Sequence, residues 1–153
     1  MLTTESITAT VIGHVRQPVA DADIPRRRRE LVATIEILDR YAPALAGIEA
    51  WSHLFVLFWM HRIVPGQGPL TVHPRGRTDL PEVGTFATRG RDRPNPIGLA
   101  VVELVGREGP RLTVRRLDAF DGTPVLDIKP YDPYDALTDL RVPDWWRAMT
   151  AGR

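Results

Sequence analysis

Apolar side chains at Leu31, Ala33, Ile35 and Ile37, with Thr34 and Glu36 between them, alternate with the period of an extended chain. The spacing predicts a half-buried strand over 31–38. Trp51 to His61 is a nearly continuous aromatic and aliphatic run, which reads as a central strand buried on both faces or as one inside a barrel wall. Leu99 to Val105 and Arg111 to Leu117 flank Gly106 to Pro110 and predict a hairpin. A first strand is expected over Ser6 to Val15, rich in Thr, Val and Ile, and a short one over Pro124 to Ile128 after the Asp121-Gly122 turn.

Helical signals are weak by comparison. Asp39 to Ile48 predicts one short helix, with Pro43 tolerated only in its first turn and Gly47 as a stop. Val64 to Gly84, punctuated by Pro65, Gly66, Gly68, Pro69, Pro74, Gly76 and Pro81, reads as a long loop. Asp132 to Asp139 and Pro143 to Met149 read as irregular or short helical packing, with Trp145 and Trp146 covering the core. Strands outnumber helices, and the long amphipathic patterns of βαβ crossovers are missing. The expected fold is mainly β, a single antiparallel β-barrel with short connecting helices, forming one domain over 1–153.

Composition narrows the function classes. A chain of 153 residues buries roughly two-thirds of its unfolded surface around one core. The apolar run Leu54 to Met60 is far shorter than the roughly 20 residues that span a bilayer, and no secretory signal precedes it. A soluble cytoplasmic protein without membrane attachment is expected. With no cysteine, disulfides, thiolate zinc sites and thiol nucleophiles are excluded. Of the 20 basic residues only Lys129 is a lysine. Arg26 to Arg29 are four consecutive arginines, read either as a solvated loop or as a binding patch.

No G-x-G-x-x-G follows a strand, and neither a P-loop, an H-E-x-x-H nor a G-x-S-x-G occurs, with only Ser6 and Ser52 as serines. His53 and His61 would stand about 26 Å apart on one extended strand, too far to share a metal. His61, at the strand's end, is the better site candidate. Two dense stretches remain. In the first, Arg89, Arg91 and Arg93 precede Pro94-Asn95-Pro96, whose prolines stiffen the segment and suit it to hold guanidinium groups in place. The second, Leu117 to Tyr131, holds Asp118, Asp121, Asp127 and Lys129. Asp127 and Lys129 share a strand face and can pair. Asp121-Gly122-Thr123 offers backbone N–H groups and a hydroxyl as a cradle for a ribose or amino-acid group, or else an ordinary Asx turn.

Phe86-Ala87-Thr88-Arg89, Arg93-Pro94-Asn95-Pro96-Ile97-Gly98-Leu99 and Asp121-Gly122-Thr123-Pro124-Val125-Leu126-Asp127-Ile128-Lys129-Pro130-Tyr131 resemble the signature segments of the TsaA-like, or TrmO, family. Ile12-Gly13-His14-Val15-Arg16 and Gly47-Ile48-Glu49-Ala50-Trp51-Ser52-His53-Leu54 are weaker echoes, so the likeness spans about residues 7–135, in the family's order. The resemblance implies a β-barrel that binds S-adenosylmethionine without a dinucleotide fold and works as a homodimer, with the cofactor near the subunit interface. It implies tRNA as substrate, methylated on N6 of threonylcarbamoyladenosine beside the anticodon. By motif position, Arg89, Leu99, His61 with Arg62, and Asp121, Gly122, Thr123 and Pro124 would bind the cofactor, with Arg27 and Arg28 from the basic loop. No metal is implied, and no general base is singled out among Asp118, Asp121 and His61. In-line methyl transfer chiefly requires donor and nucleophile held at near-attack distance.

The chain departs from the family pattern in three places. Gly90-Arg91-Asp92 stands where a serine commonly follows the arginine, and arginines replace the usual Gln-Pro-Gly character of the basic loop. The additional C-terminal domain of longer bacterial members has no counterpart before Arg153, so the tRNA grip is expected from the barrel dimer and its arginines. Two other readings stay open: a methyltransferase of the same fold acting on a small metabolite, and a non-catalytic nucleotide or RNA-binding module.

Overall fold

The computed structural model describes residues 5–151; positions 1–4 and 152–153, the outer ends of the expected 1–153 domain, lie outside them. Eight strands occur in the order β1 Gly13–Arg16, β2 Val32–Ile37, β3 His53–Trp59, β4 Thr71–Val72, β5 Val83–Gly84, β6 Ile97–Glu108, β7 Arg111–Arg115 and β8 Pro124–Pro130. The two α-helices are short, α1 over Ile24–Arg27 and α2 over Asp144–Thr150. Six strands close into a barrel in the order β1-β2-β7-β6-β3-β8, every neighbouring pair antiparallel, with β8 returning to β1 at Gly13↔Val125 and His14↔Pro124. The expected barrel with short connecting helices is what the chain forms.

Contacts divide the chain into two compact units. One runs to His61 and resumes over Ile97–Tyr131; the other holds Arg62–Pro96 and the residues from Asp132 on. In the first unit the period-two alternation fills the barrel. Val15, Ala33, Ile35, Leu54, Val56, Phe58, Ala100, Val102, Leu112, Val114 and Val125 point inward and are buried. Each large aliphatic or aromatic side chain among them contributes about 1.5–3 kcal/mol relative to exposure. On β3 the alternation decides between the two expectations for that strand. Leu54, Val56 and Phe58 are buried, while His53, Phe55, Leu57 and Trp59 face outward and are half-buried, so β3 is a barrel wall.

The first strand is shorter than its composition suggests. Its ladder with β2 and β8 begins at Gly13, and Ile12 adds only single bonds to Val125 O and from Leu38 N, each 2.9 Å. Upstream of this no partner strand exists among the described residues, and Ile7 is exposed. The hairpin turn is also tighter than expected. β6 runs on through Gly106 to Glu108, shifting register between Leu104 and Gly106, and only Gly109 and Pro110 separate it from β7. Gly109 takes φ +56°, a left-handed conformation open to glycine at little cost. Asp39–Leu45 is helical as expected, but as a 3₁₀ helix with Pro43 inside it.

The second unit corrects two expectations. The long loop carries a small ladder, Thr71↔Gly84 and Val72↔Val83, joined by a hydrogen bond from Thr71 Oγ1 to Glu82 Oε1 at 2.6 Å. Helix α2 buries none of its residues: Trp145 is half-buried, Trp146 is exposed, and neither belongs to the barrel core. Among the described residues no helix is long and apolar enough to cross a membrane.

Candidate functional site

Antiparallel closure brings the ends of β1, β3 and β7 and the starts of β2, β6 and β8 to one end of the barrel. Connections that cross this end are therefore neighbours despite their separation in sequence. Arg27 and Arg28 lie on the connection from β1 to β2, at the end of α1. Asp121, Gly122, Thr123 and Pro124 lie where the connection from β7 enters β8. His61 lies two residues past the end of β3, and Leu99 is the third residue of β6, paired with Leu57 and facing outward.

Side chains tie these segments together. Arg28 Nη2 donates to Asp118 Oδ2 at 3.0 Å, across 90 positions of sequence. Thr123, buried, places Oγ1 3.4 Å from His61 Nδ1. The Asp121 turn is built into the barrel rather than laid over it. Gln17 N–H donates to Asp121 Oδ1 at 3.0 Å, and its side chain donates to Leu117 O at 3.4 Å. Gln17 is itself buried, a polar residue that braces the turn and that nothing in the sequence distinguished.

One sequence expectation fails here. The turn's N–H groups do not form an open cradle: Gly122 donates to Val15 O at 2.8 Å and Thr123 to Phe120 O at 3.2 Å. They complete the barrel's own bonding, since a buried donor left unpaired is costly. What the turn exposes is the Asp121 carboxylate.

In the second unit, Arg62 and Arg89 are exposed. The surroundings of Arg89 are strongly determined. Thr85 is buried, with Oγ1 donating to Pro69 O at 2.8 Å, and Thr88 Oγ1 donates to Thr85 O at 2.9 Å. Arg93 Nη1 then donates to Thr88 O and to Gly90 O, both at 2.9 Å. The carbonyls on either side of Arg89 thus converge on one guanidinium nitrogen. In the arginine-rich stretch, Arg93 holds the turn on which the exposed Arg89 sits.

An open cleft of about 280 Å³ lies elsewhere on the barrel, lined by His14, Arg16, Glu36, Asp39, Pro110 and Arg111 among others, and by none of the predicted site residues. Glu36 holds two arginines there, Arg16 Nε at 2.7 Å and Arg111 Nε at 3.3 Å. The Arg16 hydrogen bond, ahead of the charges of both arginines, holds the Glu36 carboxyl below its usual range. The pair with Glu36 raises Arg16. A cleft whose charges are neutralised internally is less suited to a ligand than the barrel end. Among the described residues no group of three or more metal-ligating side chains occurs.

The fold and this end define a class: a closed six-stranded antiparallel barrel whose connecting segments present a carboxylate, a histidine and arginines at one rim. Comparison with known proteins makes the class specific. The profile described as the tRNA-methyltransferase O N-terminal domain matches residues 16–136. An S-adenosyl-L-methionine-binding protein of Archaeoglobus fulgidus is 47% identical over 125 residues, covering 80% of this chain and 87% of that one. The tRNA (adenine(37)-N6)-methyltransferase of Escherichia coli is 38% identical over 133 residues, covering 80% of this chain and 57% of the enzyme. A crystal structure of TrmO superposes with a TM-score of 0.72 at 39% identity, covering 90% of this chain and 64% of its own. The chain therefore belongs to the tRNA-methyltransferase O N-terminal domain family. It spans less than two-thirds of the solved TrmO chain and of the Escherichia coli enzyme.

Proposed function

We infer that the protein is an S-adenosylmethionine-dependent methyltransferase acting on adenine in tRNA, and that its target is N6 of threonylcarbamoyladenosine beside the anticodon. The observation that carries the reading is the convergence, at one barrel end, of the Arg27-Arg28 segment, His61 and the Asp121 to Pro124 turn. Family membership and relatives named for S-adenosylmethionine binding or tRNA methylation support it.

The residues suit the cofactor's groups. An exposed carboxylate at Asp121 matches an ammonium or ribose hydroxyls, and the exposed apolar Leu99 matches an adenine face. Arg27 supplies a cation for its carboxylate, for which the forked guanidinium geometry is well matched, and the family motif implies Arg62 and Arg89 of the second unit as further cofactor contacts. Arg28 is already held by Asp118, so its part is to fix the basic segment against the turn. When bound, the cofactor supplies an electrophilic sulfonium methyl. The protein's contribution is to hold the acceptor nitrogen in line with it and to exclude competing geometries.

The homodimer belongs to the same reading. On the outer barrel face Phe55, Leu57 and Trp59 pair with Val101, Leu99 and Ile97, the last three being 39%, 50% and 43% exposed. This apolar strip includes Leu99, so a second copy seated on it would cover part of the cofactor site. The test is direct: incubate the protein with S-adenosylmethionine and tRNA carrying threonylcarbamoyladenosine, then digest and weigh the nucleosides. Gain of one methyl on that nucleoside is the expected result. S-adenosylmethionine binding with no change in any tRNA nucleoside would move the assignment to a small-molecule acceptor.

A further inference from the structure

Arg26, Arg27, Arg28 and Arg29 are all exposed, yet they are not equivalent. Arg28 is engaged with Asp118, and Arg27 Nε lies 4.0 Å from Glu30 Oε2. Arg26 and Arg29 make no side-chain hydrogen bond or ion pair with any described residue. A third arginine shares this condition. Arg116 is exposed and its side chain is likewise unpaired among the described residues.

Arg116 comes from a different connection, and the fold brings it here. Its N–H donates to Leu31 O at 2.8 Å, two residues beyond Arg29. The Arg28–Asp118 pair provides a second link between the same two connections. At this end Arg16 is held by Glu36 and Arg115 by Glu103, while Asp121 accepts a hydrogen bond from the Gln17 N–H and stays exposed. Three guanidinium groups without a side-chain partner among the described residues thus stand on two linked connections beside the rim that carries Arg27, Arg28 and Asp121. Such groups, spread over two connections, suit several phosphates of one polyanion rather than a single small anion.

We propose that Arg26, Arg29 and Arg116 form a phosphate-gripping surface for the RNA backbone, which seats the tRNA beside the methyl-donor end of the barrel. This rests on the tRNA reading above. It assigns the three arginines to the substrate and leaves Arg27 and Arg28 to the cofactor side.

The test is a triple variant, Arg26→Gln, Arg29→Gln and Arg116→Asn, the last chosen because the backbone at Arg116 has φ 74° and asparagine tolerates the left-handed region. Binding of purified tRNA is followed by fluorescence anisotropy from low to moderate salt, and S-adenosylmethionine binding by calorimetry. Each lost phosphate contact lowers the slope of log affinity against log salt by about 0.7–0.9. The expected result is a slope shallower by about 2, with tRNA affinity down about tenfold or more, and cofactor affinity and melting temperature unchanged. An unchanged salt slope would overturn the proposal. So would a fall in cofactor affinity matching that for tRNA, which would place these arginines in the cofactor site. Wild-type protein that binds S-adenosylmethionine but no tRNA at any salt concentration would overturn the tRNA reading itself, a distinguishable result.

Discussion

The ring of Phe58 fills the space in which Gly98 would carry a side chain. The two residues are direct partners across β3 and β6, and an ideal Cβ on Gly98 would collide with Cε2, Cζ and Cδ2 of Phe58. Gly98, though it lies in the most characteristic motif of the chain, is therefore a packing residue that lets an aromatic ring close the barrel interior. Gly98→Ala should cost about 1–3 kcal/mol of stability through overpacking, measured by denaturant unfolding. Adding Phe58→Leu should recover part of the loss. A variant as stable as wild type would show that the ring moves aside freely.

Arg93 is expected to act through Arg89. Its two hydrogen bonds to Thr88 O and Gly90 O hold the residues on either side of Arg89. Arg93→Gln should lower S-adenosylmethionine affinity by about tenfold, the scale of one charged hydrogen bond, with a smaller effect on melting temperature. In an Arg89→Ala background the same substitution should cost almost nothing more. Full additivity of the two losses, measured by calorimetric titration, would mean that Arg93 does not work through Arg89.

Acid stability should depend on Glu36. Its carboxyl is held below the ordinary value of 4.5, first by the hydrogen bond from Arg16 and further by Arg111. A carboxylate with a depressed folded-state pKa stabilises the fold above its unfolded pKa, and that contribution is lost as pH falls through the folded value. Melting temperature should therefore decline as pH drops below about 4.5, and Glu36→Gln should flatten part of that decline. Equal slopes for the two proteins would assign the acid sensitivity elsewhere, for instance to Asp79, whose carboxyl is lowered by the hydrogen bond from Arg77.

The outer apolar strip gives a prediction about assembly. Val101→Glu adds a charge to a side chain that faces outward and is already partly exposed, so the monomer should fold normally. Sedimentation should show a shift from dimer to monomer, with weaker S-adenosylmethionine binding if the second copy completes the site. A variant that remains dimeric would remove this face as the interface.

Much of the barrel was legible because strand periodicity is local. Leu31, Ala33, Ile35 and Ile37 announce their shared face without reference to any other segment, and all four are buried. Asp127 and Lys129, two apart on one strand, were expected to pair and do so at 2.8 Å. The pair is largely exposed, so the lone lysine is worth no more than about 1 kcal/mol there. Partnership, by contrast, is not written in any one segment. The early residues from Ser6 have strand composition but, among the described residues, no backbone partner before Ile12, and the N–H groups of Gly122 and Thr123 are claimed by Val15 and Phe120 rather than left for a ligand.

The sequence by itself determined the strand faces, the mainly β class and, through motif resemblance, the family. Tertiary structure alone decided which connections meet. Pairing β2 with β7 put Arg116 against Leu31 and Arg28 beside Asp118, and closing β8 onto β1 put Gln17 beneath Asp121. Alternation follows from the backbone repeat of a single strand, whereas the barrel rim is created only when six strands pair in one register.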